Sequence, residues 1–285
     1  MNFGFILPSG DARATADLAR LAEKAGWDGF FVSEAVWGID AWVALAAAAM
    51  LTRRIRLGTM LTPLPIRKPW KLASETATLD NLSRGRVILS VGLGAVDTGF
   101  GNFGEETDRK IRAEELDEGL EVLTGLWAGQ PFKFDGRHYH IQPTGFNPPP
   151  PPVQRPRIPI WVVGAWPRER SMRRALRWDG LIPTRMSAAG EHLPVRPEDI
   201  VQMRETIRAS RPDASAYDIV MEGKTPGNDP ERARDLLQPW VEAGVTWFNE
   251  AMWDEADPAR IRERILQGPA RFRPLRRARS RGRTA

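Results

Sequence analysis

Eight times along this chain a short apolar run, rich in β-branched and aromatic residues, is followed by a longer run with helical spacing. Asn2 to Leu7 precedes Asp11 to Ala25, and Gly29 to Ser33 precedes Asp40 to Thr52. Ile55 to Leu61 leads to a helix that Pro69 opens and Gly85 is expected to cap, with Leu72, Thr76, Leu79 and Leu82 on one face. Val87 to Val91 comes before Asp108 to Trp127. The last four strands are read at Ile160 to Val163, Gly180 to Pro183, Tyr217 to Met221 and Val245 to Asn249. Their helices are Arg168 to Trp178, Pro197 to Ser210, Glu231 to Ala243 and Pro258 to Gln267. A parallel neighbour needs a crossover of about a dozen residues, and such crossovers are right-handed. Eight in succession close into a TIM-type (β/α)8 barrel with the helices outside. An open doubly wound sheet is the runner-up, but the first turn, Pro8-Ser9-Gly10-Asp11, has no GxGxxG. Gly92-x-Gly94 is followed by Asp97 where that pattern needs a third small residue.

A length of 285 residues suits one barrel, expected over 1–270. The stretch 128–157 breaks the alternation and reads as an insertion between strands four and five. It holds an expected hairpin, Phe132 to Phe134 against His138 to His140, and then five prolines, Pro148 to Pro152. The formal charge of +5 is a poor guide to partners, because 271–285 carries seven arginines and no acid, which leaves −2 for the rest. That segment reads as a solvated, disordered tail, so neither nucleic acid nor a membrane is expected as a partner. There is no cysteine, hence no disulfide and no thiolate metal site. The N-terminus lacks the basic and apolar regions of a signal peptide, and Ala41 to Leu51 is too short to span a bilayer. A soluble, cytoplasmic protein is the expectation.

Barrel chemistry sits just beyond the C-terminal ends of the strands. Those positions hold Ser33, Glu34 and Trp37, then Thr59 to Thr62, Gly92 to Asp97, Gly164 to Trp166, Thr184 to Met186, and Asn249 with Glu250. No GxSxG, HExxH, P-loop or EF-hand pattern occurs, which argues against hydrolase and metalloenzyme readings. His138 and His140 share a strand face near Asp135, but two imidazoles on an exposed hairpin read as structural, and no metal site is expected. Glu34 suits a salt bridge or a cap as well as acid–base work. So few acid–base groups among glycines and aromatics point to a bound planar cofactor that carries the reactivity itself. Gly164, Ala165 and Trp166 lead into a helix and could admit a phosphate to its N-terminus, with Arg168 or Arg170 adding charge; an ordinary βα turn is the competing reading.

The wording of two stretches adds to this. Arg54-Ile55-Arg56-Leu57-Gly58-Thr59, Pro63, Arg67-Lys68-Pro69, Leu72-Ala73, Ala77 to Arg86 and Val91-Gly92-Leu93-Gly94 form one ordered pattern. Trp161 to Ala165, followed by Ala175, Arg177, Trp178, Asp179 and Gly180, forms a second. Together they resemble the luciferase-like monooxygenase family. The resemblance implies a TIM barrel that binds FMN or coenzyme F420, often as a homodimer, and acts on a small organic molecule, with NAD(P)H as a potential electron donor or a flavin reductase as a partner. It implies that Thr59, Met60, Leu61, Gly92 and Gly94 border the cofactor ring and that Gly164, Ala165 and Trp166 approach its phosphate. It implies also that the strand departs from regular geometry near Met60, which would back the ring. Many family members carry a histidine after strand two, whereas this chain reads Ser33-Glu34-Ala35-Val36-Trp37. Glu34 is the ionisable neighbour left to act as the catalytic residue. A flavin-dependent oxidoreductase is the leading expectation, and a barrel that binds FMN or F420 without turnover is the alternative.

Overall fold

Aspartates begin five of the eight barrel helices. Asp11, Asp40, Asp108, Asp229 and Asp257 each accept a hydrogen bond from a backbone N–H of the first helical turn, an orphan donor that nothing else in the helix can satisfy. The helices so started are α1 (Ala12–Ala25), α2 (Ala41–Leu51), α4 (Arg109–Ala128), α7 (Pro230–Ala243) and α8 (Pro258–Gln267). Proline opens α3 (Pro69–Ser83) and α6 (Pro197–Ser210), and α5 (Glu169–Ala175) is short. The computed structural model describes residues 1–270, so the basic segment 271–285 lies outside the described residues.

Between the helices run β1 (Asn2–Leu7), β2 (Gly29–Val32), β3 (Arg56–Thr59, resumed at Thr62–Pro63), β4 (Val87–Gly92), β5 (Ile160–Trp166), β6 (Gly180–Met186), β7 (Asp218–Gly223) and β8 (Trp247–Ala251). Each pairs in parallel with the next, and Gly4 of β1 lies opposite both Gly29 of β2 and Asn249 of β8, which closes the sheet into a barrel. Two apolar cores follow. The larger lies between strands and helices. The smaller is built from strand positions, Ile6, Phe31, Met60, Ile88, Trp161, Val220, Trp247 and Ala251, and fills the barrel. Trp161 and Trp247 meet at 5.2 Å, with Phe31 against both. Room for these rings comes from glycines on neighbouring strands, since a Cβ on Gly29 or Gly180 would fall within 3 Å of an aromatic carbon.

Several local expectations change. Arg84, at φ 60°, takes the left-handed cap of α3 ahead of Gly85, and Leu82 is exposed. The peptide bond Met60–Leu61 is cis and interrupts β3 after Thr59, the departure from regular strand geometry anticipated at that point. Strands five, six and eight run further than the apolar runs suggest, so Glu250, expected just past the end of strand eight, is a strand residue. Glu250 turns outward to Thr225 and Arg264, and Asn249 is wholly buried.

Between α4 and β5 the chain leaves the barrel wall. Phe134–Asp135 pairs antiparallel with His140–Ile141, and Glu118 of α4 accepts the backbone N–H groups of Arg137, His138 and Tyr139. The two histidines part company: His138 Nε2 lies 3.1 Å from Glu114 and His140 Nδ1 2.6 Å from Asp135. The proline segment then passes α3, where Asp80 receives the N–H groups of Val153 and Gln154.

Candidate active site

At the C-terminal ends of the strands opens a cavity of about 1490 Å³. Ordinary small-molecule sites run to about 1,000 Å³, so this one has room for a large cofactor and a substrate together. Its walls differ in character. On the side of β2, β3 and β4 they are apolar, with Val36, Leu61, Pro63, Leu93, Val96 and Phe100. Gly94 sits there at φ 75°, where a Cβ would strike Phe100 and Pro63, so both backbone and space demand glycine. Arg112 fixes this loop from α4 by donating to the carbonyls of Leu93 and Gly94 and lying 5.6 Å over the Phe100 ring.

The adjoining wall, on and around α4 and α5, is rich in cations, with Glu114 and Asp117 among them. Arg109, Lys110, Arg168, Arg170, Arg173, Arg174 and Arg177 all line it. Arg174 is matched by Asp117, Arg173 by Glu169 and Arg177 by Glu121, and Arg168 donates to the carbonyls of Ser187 and Ala188. Arg109, Lys110 and Arg170 make no ion pair among the described residues. Two of them stand in the first turn of α4, where the helix dipole disfavours a cation by about 0.3–1 kcal/mol.

Glu34 lies at the foot of the apolar wall, its side chain 8% exposed. Its Oε2 accepts from Thr62 Oγ1 at 2.5 Å and from Trp42 Nε1 at 3.2 Å, while Oε1 is 3.4 Å from Arg67 Nε. Burial raises its pKa above the ordinary carboxylate range, and the nearby Arg67 and the two hydrogen bonds offset only part of that. Glu222 also lines the cavity, with Trp253 Nε1 donating to it. It is open to solvent on one side, yet the loss of hydration on the other raises its pKa too.

Of the residues expected to border a cofactor, Met60, Leu61, Gly92, Gly94 and Ala165 come together on this cavity. Thr59 is wholly buried beneath it and hydrogen-bonded to Thr62. Gly164 does not reach it. Strand alternation turns Trp161, Val163 and Ala165 inward, so Gly164 faces α5, where a Cβ would fall 2.2 Å from Leu181 Cδ1 and 3.1 Å from Met172 Sδ. Trp166 packs against the outer core, and the Ala165 N–H is taken by Ser171 Oγ. Of these three residues only Ala165 faces the cavity, while Gly164 and Trp166 are engaged in strand–helix packing. His192 also stands on the cavity rim. Arg109 and Lys110 were not anticipated, although a helix that begins Arg-Lys-Ile-Arg against its own dipole is a legible signal.

A closed parallel barrel with a large cavity at the C-terminal ends of its strands has the layout in which barrel enzymes place their chemistry. The chain belongs to the luciferase-like monooxygenase family, whose model matches residues 1–284. Members of that family are F420- or FMN-dependent oxidoreductases and monooxygenases. An uncharacterized protein of Mycobacterium tuberculosis is 31% identical over 294 residues, covering 93% of this chain and 97% of its own. The F420-dependent glucose-6-phosphate dehydrogenase of Mycolicibacterium smegmatis is 30% identical over 248 residues, covering 82% of this chain and 71% of its own. In fold, the monooxygenase RslO1 from Streptomyces bottropensis superposes with a TM-score of 0.73 at 20% identity, over 94% of this chain and 98% of its own. Among the described residues no helix is long and apolar enough to cross a membrane.

Proposed function

We propose that this chain is an F420-dependent oxidoreductase that moves a hydride between the deazaflavin and a small organic substrate, with Glu34 carrying the accompanying proton. The observation that supports F420 over FMN is the basic wall. FMN brings one phosphate, whereas the F420 side chain ends in a phosphodiester and several carboxylates. Arg109, Lys110 and Arg170 all line the cavity and make no ion pair among the described residues, Asp108 and Glu114 lying near Lys110 without closing on it. Anions arriving there would offset both their mutual repulsion and the cost of two cations at a helix N-terminus. The F420-dependent relative at 30% identity supports the same choice.

F420 when bound supplies two-electron hydride chemistry. The chain's own part is to hold, to shield and to manage one proton. Met60, Leu61 and Val163 offer an apolar surface to a planar ring, and the missing side chain of Gly92, where a Cβ would crowd Leu61 and Val163, keeps that surface open. Below its raised midpoint Glu34 is a neutral acid and can give a proton to a substrate oxygen as hydride arrives at carbon. Above it, the anion can take that proton back in the oxidative direction. The family's missing histidine is thus answered by a carboxyl in a drier setting.

Titrating the purified protein with F420 and with FMN, by absorbance, separates the cofactors. F420 is expected to bind at least about tenfold more tightly, with an affinity that falls as salt rises. Tighter, salt-insensitive FMN binding would overturn the choice. F420 binding with no oxidation or reduction of the bound ring by any of a panel of alcohols, aldehydes and ketones would favour a non-catalytic binder.

A further inference from the structure

Arg67 stands between two carboxylates and serves them unequally. Its Nη2 donates to Glu75 Oε2 at 2.5 Å, whereas its Nε lies 3.4 Å from Glu34 Oε1. Glu75 belongs to α3 and is not part of the cavity wall; its side chain and that of Arg67 are each 23% exposed, against 8% for Glu34. A guanidinium closing on one carboxylate with two parallel N–H bonds would be the stronger arrangement for that carboxylate, and here the fork is split. One positive charge cannot neutralise two partly buried carboxylates. Of the other charged groups around the pair, one favours Glu75 as the anion and one acts on both alike. Lys71, one helical turn before Glu75, attracts the Glu75 anion, while Asp40, at the start of α2, repels both. Thr62 and Trp42, the remaining contacts of Glu34, are neutral.

We infer that Glu75 is a positioning residue for Glu34: by engaging Arg67 it keeps that guanidinium from closing on Glu34, and so leaves Glu34 as the neutral, proton-bearing acid of the site. This rests on the reading of Glu34 as the proton carrier and extends it to a side chain that borders neither substrate nor cofactor. Burial raises both carboxyls, and Glu34, the more deeply buried of the two, is the one it favours as the neutral acid. A proton held jointly by the two settles on Glu34, because Glu75 keeps the nearer cation and gains Lys71 besides.

The test needs no cofactor. Infrared difference spectra between the unmodified protein and Glu34→Gln assign the Glu34 carboxyl stretch, and its disappearance with rising pH gives the midpoint. Glu75→Gln frees Arg67 to pair with Glu34, so the midpoint is expected to fall by about one pH unit or more. Glu75→Asp, which restores an anion to Arg67, is expected to bring it back toward the starting value, an outcome that a merely structural role for Glu75 does not produce. An unchanged Glu34 midpoint in Glu75→Gln, or in Glu75→Ala should the first variant not fold, would overturn the inference. So would a Glu34 carboxyl that titrates in the ordinary range in the unmodified protein. F420 binding measured by absorbance on the same samples keeps the two readings apart: failure to bind removes the cofactor assignment, while the midpoints still decide the coupling of the two glutamates.

Discussion

Glu23 and Glu34 sit near opposite ends of one barrel, and the protein treats the same carboxyl in opposite ways. Glu23, at the end of α1, is partly buried, which alone would raise its pKa, but its Oε2 collects the N–H groups of Arg53, Arg54 and Ile55 and the net shift is downward. Glu34 is buried more deeply, accepts no backbone N–H, and shifts upward. The rest of each end follows suit. At the base, Asp28 takes the N–H of Phe3, Asp80 those of Val153 and Gln154, and Asp179 that of Ile160. Arg86 ties together the carbonyls of Ala49, Thr52, Ile55 and Ser83. At the mouth, Glu34 and Glu222 face a cavity. Glu23, whose carboxylate holds backbone in place, is favoured as an anion, whereas Glu34, left with side-chain partners in a dry wall, keeps a proton within reach.

Removing a base carboxylate should therefore cost stability and spare the site. The largest effect is expected at Asp80, which is 0% exposed and accepts two backbone N–H groups and the Gln154 amide. Asp80→Ala strands those donors and should cost about 3–5 kcal/mol in chemical denaturation, while the folded fraction binds F420 as before. Weak binding by fully folded protein would blur the division between the ends. At the mouth the expectation reverses. The double variant Arg109→Glu, Lys110→Glu should lose about tenfold or more in F420 affinity, with stability kept or raised by about 1–2 kcal/mol as two cations leave the helix N-terminus. Unaltered affinity would strip the basic wall of its role. The smallest effect belongs to Glu23→Gln, about 1 kcal/mol near neutral pH, since water screens part of the interaction. Because the folded-state pKa of Glu23 lies below its unfolded value, its contribution is present above the unfolded pKa and fades as pH falls through the folded one. Denaturation curves of the two proteins should converge in acid; a gap that persists there would mean that shape rather than charge holds residues 53–55.

The architecture was readable because each strand and helix announces itself locally. Period and caps mark Asp11, Asp40 and Asp108 as helix starts without knowledge of anything distant. The fate of Gly164 was not readable, because a glycine in an apolar run carries no side chain to say which face it serves. Only the closed register, with Trp161 and Val163 turned inward, decides it. Met60, Leu61 and Gly92 were found through a pattern of wording, and the structure groups them on one wall. The partnership of Arg67 with Glu34 and Glu75 joins a strand-end loop, a turn and a helix, and no single window of sequence contains it.

The indole pair inside the barrel has an optical consequence. Trp161 and Trp247 are buried and in edge contact, so their emission is shielded from solvent quenchers and their transitions are coupled. A flavin or deazaflavin absorbs where tryptophan emits. Any such ring settling into the mouth would drain that light by energy transfer, which gives the protein an internal gauge of occupancy that needs no label.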